Sequence, residues 1–169
     1  MTRTSARALA VARPVIQGLT VLNLLYAVSI GVLLGASFFV AGWPHKPLGV
    51  DVALHPQAPA GLRAIMAIGL VAIAIVHAVL RRLLAIVDTV RAGDPFILPN
   101  ARRLDMIAWS VLTIEVLRLA VIAIAGAVLE SSTLCGFTPA PWLAVLMLFV
   151  LSGVFAKGAA MRSDLEGTV

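Results

Sequence analysis

Glu115 and Arg118 are the only charged residues in the stretch 106–129 of a 169-residue chain. On a helix, a spacing of three puts the carboxylate and the guanidinium about 60° apart on one face, where they can pair. An ionised group alone is disfavoured in lipid, and mutual neutralisation with hydrogen bonding offsets part of that penalty. Each charge thus accounts for the other, and two chemistries stay open for the pair: a polar latch between helices, or a solute, proton or gating site. Thr20, Asn23, Tyr26 and Ser29 repeat at i, i+3 in an earlier apolar run. Such a stripe is expected to face inward, toward Glu115 and Arg118, and Ser152 of the last apolar run could join it. Plain helix–helix hydrogen bonding and a functional lining would both use it.

Other candidate groups are sparse. His45, Asp51 and His55 lie in a proline-broken stretch whose spacing gives no convergent metal geometry. His77 precedes Arg81 by four residues, near a membrane surface, where a pH switch or a quietly hydrogen-bonded histidine would fit. The single cysteine, Cys135, allows neither an intrachain disulfide nor a metal cluster. There is no glycine-rich phosphate loop, no HExxH, no GxSxG and no carboxylate pair outside the loops. No catalytic, cofactor or metal site is expected, and the chain does not read as an enzyme.

The elements that position these residues follow from composition. The chain is 61% apolar and 12% charged, with a mean hydropathy of +1.04, a balance suited to a lipid bilayer rather than to a soluble domain. Net charge is +5, but the basic residues sit at the ends of apolar runs, so membrane topology explains them and direct nucleic-acid binding is not expected. The uncharged run from Val15 to Gly42 is too long for a cleavable signal core. With about 20 residues needed per span, the sequence predicts an all-α, polytopic fold. It is a single domain, a bundle of four transmembrane helices near 15–42, 62–80, 106–129 and 142–158, with a tail over 157–169. The fourth run crosses only if Lys157 snorkels or the helix continues beyond it.

Between the second and third spans, "RRLLAIVDTVRAG" keeps helical periodicity, and "RAGDPFILPNARRL" carries stop and start signals. Gly93 is expected to end a helix, Asp94 to cap one with Pro95 at its first position, and Asn100 to cap the next. Arg3, Arg7, Arg13, Arg81, Arg82, Arg91, Arg102, Arg103, Lys157 and Arg162 fall on one side of this layout, against Lys46 and Arg63 on the other. Both termini are therefore expected in the cytoplasm, with a ledge there built from the helix-two extension, the 93–100 turn, the start of helix three and the tail. Ala27, Gly31 and Gly35 form a small-residue run open to intrachain packing or to a homo-oligomer.

Two segments carry a family resemblance: "GDPFILPNARRLDMIAW" and the ending "VFAKGAAMRSDLEGTV". They resemble the central loop and the C-terminus of the bacterial family catalogued as domain of unknown function 2975. The matching positions are Gly93, Asp94, Pro95, Phe96, Asn100, Arg103 and Leu104, then Phe155, Gly158, Leu165, Thr168 and Val169. The "EGTV" ending replaces the family's more usual "LTV"-type ending. The resemblance implies a four-helix inner-membrane protein with no established activity. Its members are often encoded beside a small helix-turn-helix regulator, which implies a membrane protein that binds such a regulator in the cytoplasm. The alternative is a transporter or channel subunit using Glu115, Arg118, Asn23 and Tyr26. On the ledge, Asp88, Asp94, Asp105, Asp164 and Glu166 interleave with the basic residues, a mixture that suits a protein surface. Leu165 and Val169 are expected to pack near Phe96.

Overall fold

The computed structural model describes residues 3–49, 51–129 and 138–166. These form four long helices, α1 (Arg3–Phe39), α2 (Ala58–Arg91), α3 (Leu98–Leu129) and α4 (Pro139–Glu166), with one short 3-10 turn at Lys46–Leu48 and no strand among the described residues. All four are long and apolar enough to cross a membrane, with mean hydropathies of 2.0 to 2.3. Their apolar side chains stay largely uncovered, as with Val32 on α1 and Met147 on α4. That is the arrangement expected when lipid, not protein, solvates the outer faces.

Two of the four helices, α2 and α4, run past both ends of the apolar stretches that predict them; α3 does so only at its start, ending with its stretch at Leu129, and α1 also only at its start, stopping three residues before Gly42. The backbone ladder needs no apolar side chains to continue, so α4 carries Lys157 and Arg162 within its last turns.

The chain divides into two compact units. The first comprises residues 1–22, 76–113 and 138–169, and the second 23–75 and 114–137. In the first, Leu80, Ala101, Leu104, Ile107, Ala108 and Val145 are buried. Ser152 Oγ donates to the Ala101 carbonyl at 3.0 Å, and Trp109 meets Phe149 edge to face at 5.4 Å, so α3 and α4 are joined by both a polar and an aromatic contact. Arg13 and Asp88 pair across α1 and α2 at 3.6 Å.

In the second unit, Asn23 Nδ2 donates to the Ile73 carbonyl of α2 at 3.2 Å. Arg63 near the start of α2 closes the end of α1: Nε donates to Ser37 Oγ at 3.2 Å, Nη2 donates to the Ser37 carbonyl, and the guanidinium lies over the Phe38 ring at 4.7 Å. The Nη2 bond satisfies a backbone acceptor that a helix end leaves open. A Cβ on Gly61 would collide with the Val128 side chain, so α2 and α3 approach closely there because residue 61 has none.

Several expectations are corrected. Asn100 does not cap α3, because the helix starts at Leu98, and the Asn100 and Ala101 amides both donate to the Ile97 carbonyl. Pro99 explains the earlier start, since a first-turn proline needs no amide partner and has a helical φ. Asp94 does not start a helix at Pro95 either, as residues 94–97 form an irregular connection and α3 begins at Leu98. The polar stripe on α1 does not face inward as a whole. Tyr26 is 58% exposed, and Thr20 and Ser29 bond the Ile16 and Leu25 carbonyls of their own helix. Hydroxyls that bond back by four residues need no partner on another helix. Ser152 bonds Ala101 rather than joining that stripe. At Gly31 and Gly35 a Cβ would meet no described atom within 4 Å, so no described helix packs closely on these two glycines.

Candidate functional site

The connection between α2 and α3 is built around one side chain. α2 ends when Gly93 takes the left-handed conformation at φ +93°, where the Gly93 amide donates to the Val90 carbonyl and the Asp94 amide to the Thr89 carbonyl. This paired closure is the Schellman arrangement, which glycine adopts without a Cβ penalty. The connection then folds over Asn100, whose side chain is fully buried. Its amide donates to Thr89 Oγ1 at 2.7 Å and to the Pro95 carbonyl at 2.9 Å. Its carbonyl accepts from Arg103 Nη1 at 2.7 Å, and Thr89 Oγ1 donates onward to the Ile86 carbonyl. A buried amide with both hydrogens and its oxygen engaged fixes the turn, because leaving any of them unpaired is costly.

The fixed turn presents Phe96 to α4. The Phe96 and Phe155 rings meet at 5.1 Å, tilted by 38°, and a Cβ on Gly158 would press into the Phe96 ring. Asp94 accepts from Arg162 Nη1 on the last turns of α4. A cleft of about 530 Å³ opens between the connection and α4, bordered by Asp94, Phe96, Leu98, Ala159, Arg162 and Ser163. Phe96 and Leu98 are substantially exposed here, among charges of both signs.

The structure thus brings Gly93, Asp94, Pro95, Phe96, Asn100 and Arg103 together with Phe155 and Gly158, and buries Leu104 on α3. The Leu165 side chain, Thr168 and Val169 lie outside the described residues, and with them the expected packing of Leu165 and Val169 on Phe96. Sequence reasoning missed two members. Thr89 receives Asn100, and Arg162 completes Asp94. Opposite charges in the two motif segments were the available signal for the second; nothing in the sequence marked the first.

Glu115 and Arg118 form a bidentate pair within α3. Arg118 Nε donates to Oε2 at 2.9 Å and Nη2 donates to Oε1. The Glu115 side chain is 5% exposed and that of Arg118 34%. Both carboxylate oxygens are engaged by the guanidinium, a geometry that stabilises the ionised pair as a unit. Asn23, in the same unit, is committed to Ile73, while Tyr26 is exposed.

A family model described as "Protein of unknown function (DUF2975)" matches residues 43–169. No curated protein and no solved structure matches the chain.

Proposed function

We propose, for a chain that belongs to the family of proteins of unknown function 2975, a non-enzymatic role: a multi-pass membrane protein that binds a small cytoplasmic helix-turn-helix regulator at the corner where the α2–α3 connection meets the end of α4. The observation that carries this reading is the cleft itself. It combines exposed Phe96 and Leu98 with Asp94 and Arg162, beyond the apolar part of the helices and on a turn held rigid by Asn100. Apolar groups ringed by charges of both signs suit a protein partner. The regulator's identity rests on the family resemblance. The proposed orientation places both termini and this corner in the cytoplasm of a bacterial inner membrane, on the strength of the basic residues that cluster there.

The test is co-purification of the regulator with the full chain and with a chain ending at Met161, which lacks Arg162 and the last turn of α4. Loss of the regulator with normal insertion supports the reading, and equal retention contradicts it. The buried Glu115 favours a second reading, a transporter or channel subunit. That reading requires Glu115→Gln to abolish function while the shortened tail is tolerated.

A further inference from the structure

The basic end of the first unit carries a second recess of a different character. About 360 Å³ in volume, it lies between α2 and α3 and is lined by Ala78, Arg81, Arg82, Ala85, Arg103 and Met106. Three guanidinium-bearing side chains share it, and no carboxylate lines it. Of the acidic residues at this end, Asp88 pairs with Arg13, Asp94 pairs with Arg162, and Asp105 borders a separate recess with Arg102. Among the described residues, none of the three arginines makes an ion pair. Arg82 reaches Ser110 Oγ at 3.4 Å and Arg103 bonds Asn100 Oδ1, both neutral acceptors. Three uncompensated guanidinium groups around one concavity repel each other unless an anion lies among them.

The position of the recess decides what that anion is. The uncharged stretch of α2 ends at Leu80 and that of α3 begins at Met106. Ala78 and Met106 therefore belong to the last apolar turns, and Arg81, Arg82 and Arg103 to the first charged ones. This is the level at which lipid headgroups lie, with acyl chains alongside the apolar turns. Met106 is 42% exposed, which leaves an apolar wall open for a chain. We infer that this recess binds the phosphate of an anionic phospholipid, with Arg81 and Arg82 as the principal contacts and Arg103 held in position by Asn100. It differs from the cleft at α4, where the charges are mixed, and it does not depend on a protein partner.

The test is native mass spectrometry of the full-length protein in detergent with phosphatidylglycerol, phosphatidylcholine or inorganic phosphate added. One phosphatidylglycerol per chain is expected to be retained in preference to phosphatidylcholine, whose choline cation the arginines disfavour. Arg81→Gln, at an exposed residue with no described protein partner, is expected to weaken retention about fivefold, and Arg81→Gln with Arg82→Gln by roughly twenty-fivefold. Arg102→Gln, outside the recess, should leave retention unchanged. Equal retention of phosphatidylcholine, or wild-type retention by the double variant, would overturn the assignment. Arginine-dependent binding of inorganic phosphate without arginine-dependent lipid retention would overturn the lipid source.

Discussion

Asn100 holds more of the candidate site together than any other side chain, since it ties Thr89, Pro95 and Arg103 to one buried amide. Asn100→Ala leaves those partners open and is expected to destabilise the protein by about 1–3 kcal/mol. Asn100→Asp keeps the shape but replaces two donors with acceptors facing Thr89 and Pro95, so it should be no milder; detergent melting curves on both variants check this. The residue was legible as a helix-start signal but not as a clamp, because its partners lie on a helix end and a connection whose geometry spacing does not encode. For Glu115 and Arg118 the sequence spacing alone gave the pairing, because both groups sit on one helix and the distance between them is local. Glu115→Gln or Arg118→Leu alone is expected to lower the melting temperature further than the two together, since a single change strands one charge. Additive losses would show that each group answers to a different partner.

At the scale of the elements, the four apolar runs translate directly into α1 to α4. Their ends do not, because run length counts uncharged residues while the hydrogen-bond ladder passes through Arg81, Arg82 and Lys157 unbroken. Helix contacts are similarly selective among glycines. Gly61 faces Val128, whereas Gly69, two turns further along α2, faces open space. Gly61→Ala should therefore destabilise by about 1–3 kcal/mol through overpacking. Gly69→Ala should be neutral or stabilising by up to about 1 kcal/mol, since alanine is the better helix former. Parallel thermal unfolding of the two variants checks the contrast, and equal losses would mean that α2 and α3 do not meet at Val128. Neither glycine could be told from the other in sequence, as the difference lies wholly in what the neighbouring helix places opposite.

For the whole molecule, the proposed orientation predicts that reporter fusions at residue 1, near Gly93 and after Val169 read as cytoplasmic, and fusions near Val50 and Cys135 as external. A C-terminal reporter on the far side would remove the cleft from any cytoplasmic partner. The central claim is that the cleft between Phe96 and the end of α4 is a docking surface, and in-cell photocrosslinking reaches it most directly. A photoreactive amino acid at Ser163, exposed at the cleft, is compared with one at Met147, exposed on the apolar part of α4. The account predicts a discrete adduct from Ser163 whose partner is identified by peptide mass as a small helix-turn-helix protein, and no such adduct from Met147. Absence of that protein from the Ser163 adducts, or its equal capture at both positions, would contradict it.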